Sequence, residues 1–303
     1  KGTKMGTETI RPDFPMWIDS TARKDFDACP TKFYWSHIRG LRRKGGNIHL
    51  IFGGTLAKGL EVFRKAYYRD NKHVMDCYVE ALHAMILEWG DFEEPDNTAK
   101  TFENCVLALL AYFEQYNPAE DVVKPYMHDG EPAVEFSFAV PIPGIKHPQT
   151  GKPILYTGRF DMLGTYGSSV FVVDEKTASQ LGQGWQNQWR LASQLTGYSW
   201  AATQYGYKVQ GAIIRGIGIY KTYFAHQMVI QQRPQWMLDR WLAQLQRDVR
   251  RMISLWEEGV WDMSLDSACS NYGGCPFMSL CESPKPEQWI ETDFELSGWD
   301  PMA

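Results

Sequence analysis

The chain has 303 residues, of which 44% are hydrophobic and 22% are charged. This length suits one large domain or two small ones, and the composition predicts a globular chain with ample core. The formal net charge of −5 excludes a basic protein that coats nucleic acid, although local phosphate contacts stay open. No apolar run approaches the roughly 20 residues that span a bilayer. Residues 1–15 are polar and lack a signal-peptide pattern, so we expect a cytoplasmic protein without membrane contact.

The spacing of apolar residues predicts helices in most of the first third of the chain and again in its second half. The first predicted helix, residues 20–39, takes Ser20 or Thr21 as its N-cap. Pro30 interrupts it, so we expect a kink or two short helices. The other predicted helices are residues 55–68, 74–89, 98–116, 186–205 and 235–259.

Alternating apolar residues predict strands, which are residues 133–141, 155–164, 169–175, 209–220 and 222–231. A turn at residues 166–168 joins the second and third strands. Residues 48–52 form a short apolar segment, while residues 40–46 and the tail from Ser264 are predicted to be loops. Helices, three strands, a helix, two strands and a helix predict an α/β fold, with a central mixed sheet flanked by helices.

The most informative motif combines Asp161, Asp174 and Lys176, which stand at the ends of two strand-like runs as D…(D/E)-x-K. Two carboxylates can hold a divalent cation against a phosphate. Lys176 points to the same face as Asp174, because side chains alternate across a strand. There it can orient a water molecule or help to deprotonate it. The pattern alone is weak, since an acidic strand residue is usually just solvated at a sheet edge.

Four of the six cysteines suggest a metal site. Cys77 and Cys105 lie inside predicted helices and are expected to be buried thiols. The remaining four, one near the start and three in the tail, are Cys29, Cys269, Cys275 and Cys281. They could form a four-cysteine site, or remain unpaired thiols or a disulfide. Zinc usually takes two close pairs of ligands, whereas iron–sulfur clusters accept wider spacings.

In order and spacing, the motifs of this chain resemble the RecB-like branch of the PD-(D/E)XK nucleases. Within that branch the chain is most similar to CRISPR-associated and phage-encoded members with a four-cysteine iron–sulfur site, phage-type exonucleases in particular. The motifs that carry the resemblance are residues 27–34, 38–41, 52–61, 158–161, 173–177 and 194–198, followed by the tail cysteines.

The resemblance covers residues 18–283. It implies a restriction-endonuclease-like core in a single nuclease domain over residues 1–303. It also implies a helical insertion at residues 60–120 and a cysteine-rich tail at residues 264–283 that is joined to Cys29.

The resemblance implies a role for each motif residue. Asp161 and Asp174 would hold Mg²⁺ or Mn²⁺, the carbonyl of Glu175 would be an additional ligand, and Lys176 would be the catalytic lysine. The family's Q-x-x-x-Y helix, which lies beside the scissile phosphate, is matched by Gln194 and Tyr198. Their spacing puts both on one helix face, which an ordinary amphipathic helix also would.

The four cysteines named above match the ligands of a 4Fe-4S cluster, with zinc as the alternative metal. Their spacing in the tail is C-x5-C-x5-C, whereas the first two tail cysteines of the family are often closer together. The type of cluster therefore stays open.

One position departs from the family pattern F-G-x-x-x-H-x-x-x-E, in which the histidine binds the metal. This chain has Ala57 there, and alanine has no ligand atom. We favour a loss or weakening of cleavage, either engineered or natural. The alternative is that the site works without the histidine. Glu61 follows one turn later on the same face, where its carboxylate could reach the metal; it could equally be a solvated helix residue.

Two groups of residues are candidates for nucleic-acid contacts. A basic run before the second helix suits backbone phosphates or is a solvated loop; it comprises Arg39, Arg42, Arg43 and Lys44. Trp185 and Trp189 could stack on unpaired bases or belong to the core. The helices between residues 60 and 116 could roof the site and narrow it to a single strand.

The sequence therefore predicts a metal-dependent DNA exonuclease that acts on single strands or DNA ends in recombination, repair or phage DNA processing, in a bacterial or phage-infected cytoplasm. The first alternative is a catalytically silent DNA-binding module, which Ala57 favours. The second is an iron–sulfur or zinc protein that binds a recombination or CRISPR-type protein partner. Retention of Asp161, Asp174 and Lys176 argues against complete loss of catalysis.

Overall fold

The computed structural model describes residues 12–270 and 274–297, so residues 1–11 of the polar start lie outside it. Its helices are α1 (Ser20–Ala28), α2 (Pro30–Phe33), α3 (Ile48–Arg64), α4 (Val74–Trp89), α5 (Phe102–Gln115), α6 (Gln183–Asn187), α7 (Ser193–Gln204), α8 (Gln235–Glu258), α9 (Ser267–Ser270), α10 (Met278–Glu282) and α11 (Glu287–Asp293). Its strands are β1 (Trp17–Ile18), β2 (Leu41–Arg43), β3 (Val123–Pro125), β4 (Met127–His128), β5 (Glu131–Pro132), β6 (Val134–Lys146), β7 (Pro153–Tyr166), β8 (Ser169–Ala178), β9 (Val209–Ile219), β10 (Phe224–Gln232) and β11 (Phe294–Leu296).

A mixed sheet forms the centre of the molecule, with β1, β7, β8, β9 and β10 in spatial order and with β3 and β6 also paired to β7. The β8–β9 pair is parallel, while β7–β8 and β9–β10 are antiparallel. Nearly every residue of β9 is buried, because helices cover both faces of the sheet there. The predicted α/β fold with a central mixed sheet flanked by helices is confirmed.

Helices α1, α7 and α8 cover one face of the sheet. Leu238, Trp241, Leu245, Val249 and Met252 recur every three or four residues along α8, and they are buried in the main core. This spacing gives the helix a continuous apolar stripe. It explains why α8, predicted at residues 235–259, forms at Gln235–Glu258.

Helices α3, α4 and α5 build a second core on the other face. Phe52, Leu56, Met85 and Leu109 from these helices pack with Ile217 of β9. Cys77 and Cys105 are fully buried in the same core, as predicted. None of the described helices combines the length and apolar character needed to span a bilayer.

The structure corrects the predicted N-cap of the first helix and confirms the predicted break at Pro30. Asp19, not Ser20 or Thr21, is the N-cap, since its Oδ1 accepts a hydrogen bond from the Ala22 amide at 2.6 Å. The expected break is confirmed: α1 ends at Ala28, and α2 begins with Pro30, whose missing N–H costs nothing at a first helical position. A π-helical turn, Tyr34–Ile38, follows α2.

Residues 48–52 are not a separate apolar segment but the first turns of α3. Asn47 caps this helix, with its Oδ1 accepting a hydrogen bond from the His49 amide at 2.9 Å. A second π-helical turn, Lys65–Arg69, continues α3.

The helix predicted at residues 186–205 is also wrong, because it is split into α6 and α7. Arg233 stabilises the break by donating a hydrogen bond to the Trp189 carbonyl at 2.8 Å. In a continuous helix this carbonyl would accept from a backbone N–H instead.

Two segments predicted as loops have regular structure. Residues 40–46 contain β2, which pairs antiparallel with β11 of the tail. The tail itself contains α9, α10 and α11 as well as β11. Phe277, Leu280 and Phe294 of the tail pack on Trp35 and Leu41, and this contact explains the order. The sequence pattern could not reveal it, because each tail element is too short to show a period.

Candidate active site

Adjacent strands bring the three motif residues together, as the sequence predicted. β7 carries Asp161 and β8 carries Asp174 and Lys176, and both aspartates lie inside their strands rather than at the ends. The Glu175 amide donates to Asp161 Oδ2 at 2.8 Å. Lys176 Nζ lies 2.9 Å from Asp174 Oδ1 and 2.8 Å from Oδ2, so lysine and aspartate share a face as side-chain alternation requires.

The two aspartates destabilise each other's negative charge. Burial raises the pKa of Asp161 well above its usual range, and the charge of Asp174 raises it further, while Lys176 acts in the opposite direction. Burial likewise raises the pKa of Asp174, against the effect of Lys176. Burial disfavours the charge of Lys176, but Asp174 and Asp161 outweigh it and raise the pKa of the ammonium above its usual value. A second cation beside these carboxylates would relieve their repulsion.

The donor atoms fit an oxygen-preferring divalent cation. Asp174 is 1% exposed, and its Oδ2 accepts no well-directed hydrogen bond from the described residues. Carboxylate and carbonyl oxygens are the ligands that Mg²⁺ and Mn²⁺ prefer. Within residues 12–270 and 274–297, no three His, Cys, Asp or Glu side chains are placed to hold a metal. Asp161 and Asp174 thus offer two carboxylates, and a cation held there would need further ligands.

The Glu175 side chain lines the same cavity as Asp161 and is held in a buried network. Arg64 Nη2 and the Tyr112 hydroxyl both donate to Glu175 Oε1, the latter at 2.8 Å. Burial would raise the pKa of Glu175, but the Arg64 guanidinium holds it below its usual value. The carboxylate is therefore occupied, which leaves the Glu175 carbonyl as the group that the resemblance implies for a metal.

An open cavity of about 380 Å³ adjoins the motif and is lined by Ala57, Glu135, Asp161 and Lys176, among others. Ala57 on α3 thus faces the same space as Asp161 and offers no ligand atom there. Glu61 is not among the cavity-lining residues. Its carboxylate accepts from Lys58 at 2.9 Å and from Lys65 at 2.6 Å. Burial would raise its pKa, but these lysines lower it.

Glu135 on β6 is a cavity residue that the sequence analysis missed. Its neighbours Val134 and Phe136 pair with Met162 and Phe160, so Glu135 stands across from Asp161 on the same face. Burial raises the pKa of Glu135 to about 7, against the effect of Arg159, whose Nε lies 2.7 Å from Oε2. The alternation in residues 133–141 held a usable signal, because it leaves Glu135 on the opposite face from its apolar neighbours.

The two residues of the Q-x-x-x-Y match form a pair on α7. Gln194 Nε2 donates to the Tyr198 hydroxyl at 3.1 Å. Burial raises the pKa of Tyr198 to about 12, and Asp174 contributes to this rise. Tyr198 also packs closely on Gly158, where a Cβ would come within 2.8 Å of its ring. Tyr198 is thus held next to the motif strands.

Both candidate stacking tryptophans pack against the main core and are half-buried. Trp185 and Trp189 contact each other edge to face with ring centroids 5.4 Å apart. Trp185 also covers Gly216 of β9, where a Cβ would lie 2.5 Å from its ring. The rings thus already have protein partners.

Side chains of three residues of the basic run contact other residues of the chain. Arg42 pairs with Glu295 at 3.0 Å, and Lys44 donates to the carbonyls of Glu291 and Thr292 at 2.8 and 2.9 Å. The guanidinium of Arg39 lies over the ring of Trp35, 5.8 Å from its centroid. Arg43 lies exposed in β2, beside Arg42.

The four candidate cluster cysteines lie near one another and are free thiols. Burial raises the pKa of the Cys281 thiol, and the neighbouring Cys275, Cys29 and Cys269 raise it further. The Cys275 amide donates to the Cys269 carbonyl at 2.8 Å, and Cys29 Sγ accepts from the Ser264 amide at 3.4 Å. As noted, they are not arranged as metal ligands within the described residues.

A family model described as the PD-(D/E)XK nuclease superfamily matches residues 20–282. A solved structure from Eubacterium rectale, described as a "putative exonuclease", gives a TM-score of 0.47 at 12% identity over 89% of this chain and 94% of that one. The structure of a protein named SSO0001 gives a TM-score of 0.32 at 13% identity over 79% of this chain and 98% of that one. No curated protein matches the chain.

Proposed function

The chain belongs to the PD-(D/E)XK nuclease superfamily, and from this premise we propose that it hydrolyses phosphodiester bonds in DNA with Mg²⁺ or Mn²⁺. One observation carries the proposal: Asp161 and Asp174 meet on adjacent strands, with the Lys176 ammonium within 2.9 Å of Asp174, beside an open cavity. Two carboxylates and a lysine in this arrangement are the groups that metal-assisted phosphodiester hydrolysis needs.

Each residue has a task in this proposal. Asp161, Asp174 and the Glu175 carbonyl would hold the cation, which when bound polarises the phosphate and lowers the pKa of a water molecule. Lys176 orients the attacking water or offsets the charge that develops on the phosphate. Gln194 and Tyr198, already paired through a 3.1 Å hydrogen bond, would flank the scissile phosphate.

The finer assignments come from the resemblance to the RecB-like branch. We propose exonuclease action on single strands or DNA ends, in recombination, repair or phage DNA processing. The helices α3, α4 and α5 cover the cavity side of the sheet and would restrict access to a single strand. A 4Fe-4S cluster, or zinc, on the four clustered cysteines belongs to the same proposal, as does a CRISPR-type protein partner.

The test is cation-dependent degradation of end-labelled single- and double-stranded DNA by the chain as it stands and by Ala57→His, with Asp174→Asn as the blank. We expect the histidine to increase cleavage by on the order of 10–100-fold, because it supplies the missing ligand beside Asp161. Circular single-stranded DNA should resist if the action is exonucleolytic. Absence of cation-dependent cleavage by both proteins would refute the nuclease proposal.

A second candidate is a catalytically silent module that binds DNA or a protein partner. It is favoured by the incomplete metal site, in which Ala57 faces the cavity without a ligand atom. Affinity for DNA without cleavage, before and after Ala57→His, would identify the DNA-binding form. Lack of both affinity and cleavage would favour the protein partner.

A further inference from the structure

Lys100, between α4 and α5, reaches the rim of the cavity. Its Nζ lies 3.5 Å from Thr177 Oγ1 and 5.5 Å from the ring centroid of Phe52. Thr177 lines the cavity directly after Lys176. The ammonium is therefore held beside β8, the strand that carries Asp174 and Lys176.

The half-buried Lys100 has no carboxylate within 4.0 Å among the described residues. Burial lowers its pKa, so the folded chain holds this charge at a cost. By contrast, the ammonium of Lys176 is neutralised by Asp174. A partly desolvated cation without a protein counter-ion is suited to an anion that arrives from outside.

The wall of the cavity near Lys100 is open to a ligand backbone. His49 and Gly53 of α3 line this wall, and a Cβ built on Gly53 would meet nothing within 4 Å. Lys100 also contributes to lowering the pKa of His49, after burial, so the two side chains are electrostatic neighbours. Glu135 and Asp161 line the same cavity. The cavity lining thus includes the carboxyl groups of Glu135 and Asp161, and the Lys100 ammonium lies beside it at Thr177.

We propose that Lys100 binds a backbone phosphate of the nucleic-acid substrate next to the one that is cleaved. The assignment rests on the proposed nuclease function and deepens it by naming a substrate contact. The aspartates would take the cation and the scissile phosphate, while Lys100, beside the cavity at Thr177, takes the neighbouring phosphate. Contacts of this kind fix the register of the strand without reading its sequence.

The experiment measures binding of a fluorescein-labelled single-stranded oligonucleotide to the full chain by anisotropy. Asp174→Asn is the background, so that cleavage does not interfere. Lys100→Gln should weaken binding by about threefold or more at low salt and reduce the slope of log K against log salt by about 0.7, as expected for one lost contact on a single strand. Lys100→Arg should keep the slope, and the exposed Lys152→Gln is the matched control.

Oligonucleotides with one neutral methylphosphonate at successive positions locate the contact. With Lys100 present, one position next to the cleaved phosphate should weaken binding, and Lys100→Gln should abolish that sensitivity. Equal slopes and equal position profiles for Lys100→Gln and Lys152→Gln would overturn the assignment while leaving nuclease function intact. Loss of the proposed function would instead appear as no cleavage by Ala57→His. Thermal unfolding of Lys100→Gln checks that the fold is kept.

Discussion

Glu135 is a strained residue at the wall of the proposed active site. Its φ of 50° lies in the left-handed region, where a glutamate side chain is disfavoured. It also places a carboxylate across from Asp161, and like charges facing each other across a strand pair repel. Strain of this kind persists only where the surrounding structure enforces it, and it is common at functional sites.

The raised pKa of Glu135 makes the stability of the metal-free protein depend on pH. Its pKa rises from 4.5 to about 7 on folding, so the folded state binds the proton more tightly than the unfolded state. Stability is therefore lost as pH rises from about 4.5 through 7. Because Gln cannot ionise, the free energy of unfolding of Glu135→Gln, relative to that of the original protein, should increase by on the order of 2–3 kcal/mol when the pH rises from 5 to 8.

Urea unfolding in a chelator at the two pH values measures this gain. The exposed Glu131→Gln is the control, and it should show no comparable change. A difference between Glu135→Gln and the original protein that is equal at pH 5 and pH 8 would show that Glu135 ionises normally in the fold.

At the scale of elements, a buried polar network joins the helical layer to the motif strand. The Tyr112 hydroxyl of α5 accepts from Arg64 of α3 at 2.8 Å and from Arg215 of β9 at 3.0 Å, and it donates to Glu175 of β8. Arg215 also binds Asp121 through two N–H groups, at 2.8 and 2.7 Å. The network thus fixes the position of the Glu175 backbone relative to α3.

Tyr112→Phe should be destabilising by about 1–3 kcal/mol, because it leaves buried charged groups with an unmade hydrogen bond. Chemical denaturation measures the free energy of unfolding, with Tyr166→Phe at an exposed site as the control. The same variant should weaken Mn²⁺ binding in calorimetry if the network positions the Glu175 carbonyl. A stability equal to that of Tyr166→Phe would show that the hydroxyl contributes nothing.

Sequence patterns predicted an element correctly where its apolar residues repeat regularly over a long stretch. Helix α4 formed at the predicted residues 74–89, and the turn at residues 166–168 joins β7 and β8. The patterns failed where tertiary contacts decide, as in β2, which exists only because β11 returns to it. The same difference applies to the candidate site, where Asp161, Asp174 and Lys176 could be recognised in the sequence as a motif. Lys100 and Tyr112 became visible only through partners distant in sequence.

At the scale of the whole molecule, two cores lie on opposite faces of the sheet, and the tail packs on residues 35–43. The main core holds α1, α7 and α8, and the second core holds α3, α4 and α5. The tail contacts residues 35–43 through the β2–β11 pair and the packing of Phe277 on Trp35. The cavity with Asp161 lies where the second core meets the sheet.

A metal centre on Cys29, Cys269, Cys275 and Cys281 would cross-link the junction of α1 and α2 to the tail. Closing so long a loop should add on the order of 3–5 kcal/mol to the free energy of unfolding, by analogy with covalent cross-links. Protein that carries the proposed metal centre should contain iron and sulfide, or zinc, after anaerobic purification, and a chelator should lower its unfolding midpoint. Cys281→Ser should lose the metal and become insensitive to the chelator, because one of the four ligands is gone. A metal-free original protein, or an equal chelator effect on both proteins, would show that the tail is held by Phe277, Leu280 and the β2–β11 pair alone.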